Sequence, residues 1–276
     1  YCMLKISGLF IYPIKSLGGI SLNKAQVSSR GLEHDRRWML VDENNRFLSQ
    51  REIPEMALLY VELTSNGLLV MHRQKAEEFV AIPFLYDANE EAICTIWDDE
   101  CQAEFIDIEI DKWFSRILKT KCRLVYMPKS SKRLVDQQYA KPDQITSFSD
   151  AYPFLLAGEA SLEDLNNRLK EPVLMDRFRP NIVFSGGEAF EEDQMEQFQI
   201  NGIHFYGVKP CARCPVINID QESGLTDKEP TKTLAGFRKK NNKIYFGQNL
   251  VHDGEGSISI GDELVIKELK SEKFIS

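Results

Sequence analysis

Two cysteines at C-x-x-C spacing, in Lys209-Pro210-Cys211-Ala212-Arg213-Cys214-Pro215, are the residues of this chain whose types and spacing most directly imply chemistry. Lys209 and Arg213 flank them, and neighbouring cations favour the thiolate, the form that attacks an electrophile or binds a metal. No second C-x-x-C completes a four-thiolate zinc site, and His34, His72, His204 and His252 share no metal-ligand spacing. On spacing alone, a metal-binding thiolate, a reversible Cys211–Cys214 disulfide and a buried thiol pair all remain open. A dithiol motif of thioredoxin type opens a helix after a strand. Here Pro215 to Asp220 reads as a further strand, which argues against that use.

Anion recognition is the second chemistry. Lys15-Ser16 follows the strand-like Leu9-Phe10-Ile11-Tyr12 and precedes Gly18-Gly19, where backbone amides can approach a phosphate closely. The G-x-x-x-x-G-K-[ST] pattern of a P-loop is absent. Asp35-Arg36-Arg37-Trp38 supplies guanidinium groups suited to bidentate phosphate contacts. Phe178-Arg179-Pro180-Asn181 places another arginine and an amide just before a strand. Taken singly, each also reads as a surface arginine or a strand-end turn.

The elements that must position these groups are mostly strands. Residues 38–41 and 46–48 read as a hairpin around a polar turn. A second hairpin is expected from Ala57 to His72, turning at Ser65-Asn66-Gly67 through the positive φ that Asn-Gly tolerates. Asp111 to Leu118 reads as a short helix with Trp113, Phe114, Ile117 and Leu118 on one face. Met127 to Arg133 reads as a polar, basic linker or mobile loop. A second helix is expected from Ser161 to Leu169, capped by Ser161 with Asp164 in capping-box position and buried along Leu162, Leu165 and Leu169. Strands follow at 181–185, 203–208, 215–220 and 257–266. Strands and helices do not alternate, so the pattern argues against a doubly wound sheet and for barrel-like or mixed β architecture, a mostly β, α+β protein.

Composition narrows the function. The 276 residues suffice for one large domain or two moderate ones. A net charge of −8 argues against wrapping nucleic acid while leaving room for a local basic pocket. No apolar run reaches the ~18 residues of a membrane span. Six cysteines are too few for a disulfide scaffold, and Cys94 and Cys122 sit in strand-like surroundings as packing residues. These features fit a reducing, cytoplasmic setting with no membrane contact.

In their order and spacing, Tyr12-Pro13-Ile14-Lys15-Ser16, Arg36-x-Trp38, Phe178-Arg179-Pro180-Asn181, Lys209-Pro210-Cys211-Ala212-Arg213-Cys214 and Phe246-Gly247-Gln248-Asn249 resemble a family. It is the MOSC domain with its N-terminal β-barrel partner, and within it the mitochondrial amidoxime-reducing component and its bacterial relatives. The FRPN and C-x-R-C blocks are the specific parts. The resemblance implies a MOSC N-terminal β-barrel-like domain over residues 1–125 packed with a MOSC domain over 126–276. It also implies one molybdenum cofactor (Mo-molybdopterin), ligated through a single protein cysteine that falls on Cys214.

Matched position by position, Lys15, Ser16 and Arg36 fall on contacts to the cofactor's phosphate and pterin. Arg179 and Asn181 fall on the FRPN contacts, Ala212 and Arg213 on neighbours of the cofactor, and Asp150 and Asn249 are further expected contacts. The chemistry agrees: a dianionic phosphate suits Lys and Arg, and a high-valent molybdenum centre suits a soft thiolate. The implied reaction is reduction of amidoximes, hydroxylamines and other small N-hydroxylated compounds by oxygen transfer to molybdenum. Two electrons and two protons regenerate the metal, with water as second product.

Departures matter. No counterpart of the mitochondrial relatives' membrane anchor is expected, and no cysteine follows Cys214 in the sequence to hold an iron–sulfur cluster. Electrons are therefore expected from a separate ferredoxin, flavoprotein or cytochrome b5-like protein. Asn249 replaces an expected aromatic residue and Tyr152 a small polar one, which points to an altered substrate pocket. Two alternatives stay open: a cofactor or sulfur carrier using Cys214 without turnover, and a dithiol redox protein. Because Lys15, Ser16 and Arg36 come from one half and Arg179, Asn181 and Cys214 from the other, a shared ligand must lie between them.

Overall fold

The structure, a computed structural model, describes residues 3–87, 90–271 and 274; Cys2 lies outside these. The first strand, β1 (Lys5–Ile11), alternates buried and open positions and does not stay in the first half of the chain. It runs antiparallel to a strand near residue 183, with Leu9 opposite Ile182. The next long strand, β2 (Lys24–Ser28), likewise pairs with residues 256–259.

The rest of the first half forms its own layer. Strand β3 (Trp38–Val41) is buried at every position and pairs with residues 123–126, while residues 46–48 fold back beside it as the sequence suggests. The return is short: Val41 bridges Phe47, Asp42 N donates to Arg46 O at 2.9 Å and Leu48 N to Leu40 O at 2.8 Å. Strands β4 (Leu59–Leu63), β5 (Gly67–His72) and β6 (Lys75–Pro83) form a meander. The turn between β4 and β5 falls at Asn66-Gly67 as expected, yet neither residue has positive φ. Glycine is needed there for closeness: a Cβ on Gly67 would lie 2.1 Å from the Ile82 carbonyl oxygen. A hairpin of β7 (Glu91–Ile96) and β8 (Asp99–Phe105) turns at Trp97.

Helix α1 (Ile108–Leu118) begins three residues before the expected start. The Asp107 carboxylate caps it by accepting from the amides of Glu109 and Ile110. Its Ile110, Phe114, Ile117 and Leu118 enter a core with Trp38, Leu40, Leu59 and Val70. Buried Asp111 accepts from Leu124 N at 2.7 Å and Arg123 Nε at 2.9 Å, fixing the helix to β9 (Arg123–Tyr126).

The expected mobile loop at 127–133 is pinned. Arg30 donates to the carbonyls of Lys129 and Ser131, and both Ser131 and Arg133 are buried. Backbone carbonyls left without secondary-structure partners need donors, and the two arginines supply them.

The second half is a barrel. Strand β10 (Phe154–Gly158) leads into α2 (Glu159–Asn166) and lies parallel to β11 (Ile182–Ser185). Strands β12 (Met195–Ile200), β13 (Ile203–Ala212) and β14 (Lys243–Asp253) follow. The region expected as one strand from 257 to 266 is two, β15 (Gly256–Ser259) and β16 (Leu264–Leu269), separated by a turn in which Ser259 N donates to Asp262. The sheet runs β1-β11-β10-β14-β13-β12-β16. It closes on itself where Leu264 N donates to Leu4 O at 2.9 Å and Ile6 N to Asp262 O at 2.8 Å. Phe154, Phe184, Phe198 and Phe205 fill its interior with Ile6 and Leu9.

Helix α2 corrects the expected cap. Gly158 stands at the N-cap, and Ser161 is buried one turn in. The Ser161 hydroxyl donates to Glu192 at 2.8 Å and accepts from Phe190 N at 2.7 Å, so it bonds a neighbouring loop rather than its own helix end.

Candidate functional site

A cleft opens between the N-terminal layer and the barrel. Lys15 and Ser16 reach it because β1 ends in the barrel and its continuation crosses to the other layer, where Lys15 N donates to Trp38 O at 2.8 Å. Buried Lys15 donates its ammonium to Asp150 at 2.6 Å and to the Phe148 carbonyl at 2.8 Å. Burial pulls that ammonium below its ordinary value, against the raising effect of Asp150. Desolvation raises Asp150, but the charge and hydrogen bond of Lys15 outweigh this and hold the carboxyl well below the usual range. The Asp150 side chain is 72% exposed, so water screens much of the pair.

Ser16 is left-handed at φ 70°, and its carbonyl accepts from Gln50 at 2.7 Å. The glycines after it do not cradle a ligand. A Cβ on Gly18 would lie 3.0 Å from Tyr60 Cα and one on Gly19 2.5 Å from the Tyr12 ring, so both serve close packing.

The Tyr12 ring carries two guanidinium groups, Arg36 at 4.3 Å and Arg179 at 4.2 Å. Arg36 is held by both Asp35 oxygens, at 2.8 and 2.7 Å. Arg179 is left-handed at φ 54° and makes no ion pair with any described acid. Desolvation pushes it down to about 10. A dehydrated cation with no ion-pair contact favours an incoming anion.

Asn181 also lines the cleft, but its side chain stitches strands: it donates to Phe10 O and accepts from Leu155 N, each at 3.2 Å.

The thiol end comes from the barrel. Strand β13 delivers Cys211, and Cys214 stands where a short 3-10 helix, Pro215–Asn218, begins; both line the cleft, half-buried. The strand expected at 215–220 is thus absent, because Pro215 fixes φ where a helical turn starts. The sequence argument against a dithiol motif loses its footing with it. Of the flanking cations, Arg213 stays with the pair, on Cys211, and Lys209 does not. Arg213 Nη1 lies 3.0 Å from Cys211 Sγ and Nη2 donates to Phe178 O at 2.8 Å. Lys209 lies 4.9 Å from the centre of the Tyr139 ring. Ala212 is exposed and outside the lining; Asn249 and Tyr152 are part of it.

Four residues of this region carry no sequence signal. Arg133 uses all its donors: two to Asp99 at 2.9 and 2.7 Å, the others to the carbonyls of Ser147, Ser149 and Asp150. Gln50 fixes Ser16, while Trp97 and Arg51 stand at the mouth.

The residues fit an anionic, sulfur-ligated cofactor. Arg179 lacks a counter-charge, Arg213 Nε is buried without a partner, and Cys214 offers a soft donor in the same cleft. Among the described residues, no group of three His, Cys, Asp or Glu forms a metal site of its own.

Residues 3–121 match the MOSC N-terminal beta barrel domain and residues 143–265 the MOSC domain. Mitochondrial amidoxime reducing component 2 of Rattus norvegicus is 31% identical, over 93% of this chain and 81% of that protein. The chain belongs to the MOSC family. Amidoxime-reducing component 1 of Mus musculus is also 31% identical to this MOSC protein, over 95% of the chain and 82% of the relative. The molybdenum cofactor sulfurase of Solanum lycopersicum is 30% identical over 94% of the chain, which spans only 35% of that longer protein. Among the described residues of the MOSC protein, no helix is long and apolar enough to cross a membrane.

Proposed function

We propose that this MOSC protein is a molybdenum-cofactor-dependent reductase of small N-hydroxylated compounds. The observation that carries the reading is one cleft lined by Cys214 and by Arg179, a desolvated cation with no acid to pair. When bound, the cofactor supplies two-electron removal of oxygen from an N–O bond. Cys214 is its protein thiolate ligand. Lys15, Arg36 and Arg179 receive the phosphate, with Ser16 at the same corner, and Arg213 and Asn181 border the pterin. Arg36 is pre-set by Asp35 and Arg179 by Tyr12, so neither pays the full cost of ordering on binding. Asn249 and Tyr152 shape the space left for substrate. Electrons come from a separate one-electron donor protein. Cys94 and Cys101 stand opposite each other across β7 and β8 as free thiols, which favours a reducing, cytoplasmic setting.

The test is molybdenum and oxidised-pterin content of protein made in a cofactor-producing host, with amidoxime turnover driven by reduced viologen. Wild type should carry near one of each per chain and turn over. Cys214→Ser should keep its fold and lose molybdenum or all turnover; full activity in that variant sinks the reading. The sulfurase relatives favour a second reading, a cofactor or sulfur carrier, which predicts pterin or persulfide without N–O reduction.

A further inference from the structure

Five cations line the cleft, and four are accounted for. Lys15 pairs with Asp150, Arg36 with Asp35, Arg213 bonds the Phe178 carbonyl and Cys211, and Arg179 awaits the cofactor's phosphate. Arg51 is left over. It is exposed, lines the mouth and pairs with no acid among the described residues. Its guanidinium lies 4.1 Å from the centre of the Trp97 ring, which leaves its planar N–H edge free.

Trp97 is itself unusual. It occupies the tip of the β7–β8 hairpin at φ 56°, a conformation that bulky side chains rarely adopt, and its side chain is 45% exposed. Such a strained, exposed aromatic persists only where its surroundings over-determine it. Here three contacts do so: the indole N–H donates to Asp150 at 3.3 Å, Phe47 packs at 5.0 Å, and Arg51 covers the ring. Arg133 then ties Asp99, two residues past the tip, to the Ser147–Asp150 wall. The hairpin tip is therefore a rigid part of the site, and it presents a fixed guanidinium edge to whatever enters.

We propose that Trp97 and Arg51 form an anion-recognising shelf at the cleft mouth, selecting N-hydroxylated substrates that also carry a carboxylate or phosphate. This rests on the reductase reading. An oxyanion matches the planar guanidinium edge bidentately, and stacking on Trp97 pre-orders the arginine. Reduction of such a substrate breaks its N–O bond, takes two electrons from two one-electron donors and two protons, and releases the amidine and water.

The experiment compares benzamidoxime with its 4-carboxylate on the holoprotein, using reduced viologen as donor. Wild type should prefer the carboxylate through a lower KM. In Arg51→Gln the ratio of kcat/KM values, carboxylate over neutral, should fall about tenfold, with partial recovery in Arg51→Lys. Trp97→Leu should lower the same ratio. An unchanged ratio in Arg51→Gln overturns the proposal. Loss of pterin from Arg51→Gln also overturns it, because it assigns Arg51 to the cofactor. Calorimetric binding of 4-carboxybenzamidine, the product, separates the two readings. Arg51-dependent binding without turnover of either probe leaves the shelf standing and removes the reductase reading. Neither binding nor turnover removes both.

Discussion

Gln50 and Gln221 exchange two amide hydrogen bonds, at 3.1 and 3.0 Å, across the seam between the N-terminal layer and the barrel. Both are almost fully buried, and Gln50 also holds the Ser16 carbonyl. Removing either amide leaves the other's oxygen without its donor, which costs about 1–3 kcal/mol. Gln50→Ala and Gln221→Ala should each destabilise by that amount, while the double variant falls short of the sum by at least ~0.5 kcal/mol. Urea unfolding of all four proteins checks it; strict additivity means the pair is not coupled.

Arg133 should resist conservative replacement. A lysine has three donors and no fork, so Arg133→Lys cannot hold Asp99 and three carbonyls together. The expected loss is about 2–4 kcal/mol, with weaker pterin retention once Asp150 is released. Calorimetric melting and pterin content measure both, and a melting temperature within a degree or two of wild type contradicts this account.

Glu192 makes stability depend on pH. Burial, and then the charge of Asp193, push its carboxyl from 4.5 up to about 7. The folded state keeps this proton up to near pH 7, whereas the unfolded chain releases it near 4.5. Its contribution is therefore fully present below pH 4.5 and is lost as pH rises through 7, by at most a few kcal/mol. Glu192→Gln keeps one acceptor oxygen for Gly158 N and an amide that can donate to the Ser161 hydroxyl, so its stability relative to wild type should rise from pH 5 to 8. Parallel curves for the two proteins across that range count against a raised carboxyl.

The two thiols should separate cleanly. Cys211→Ser should retain molybdenum and pterin, whereas Cys214→Ser loses the metal, as read by elemental analysis. Loss of metal in both, with reversible thiol oxidation in wild type, restores the dithiol alternative.

The sequence revealed residues whose chemistry is intrinsic and concealed those whose roles come from packing. Cys214, Lys15, Arg36 and Arg179 were visible because thiol and cation identities survive any fold, and the structure brings them to one cleft. Arg133 sits in a stretch with the composition of a solvated loop; only Arg30 and the neighbouring carbonyls make it an interior segment. The strand expected at 215–220 failed because β-branched Val216, Ile217 and Ile219 suit strands, while Pro215 and the buried faces of Ile217 and Ile219 favoured a helical turn. The antiparallel pairing of β3 with β9 is a long-range choice that no local pattern encodes.

The closure of the barrel by β1 also sets an order of events during synthesis. Leu4 and Ile6 are made long before their partners Leu264 and Asp262. At roughly 5–20 residues per second, the apolar strand waits on the order of tens of seconds for its neighbours. Contacts so distant along the chain also slow folding itself. A nascent protein stalled before β16 would hold Leu4 and Ile6 without these partners, so chaperone demand should rise with slower translation, and the first strand cannot be divided from the second half without opening the barrel.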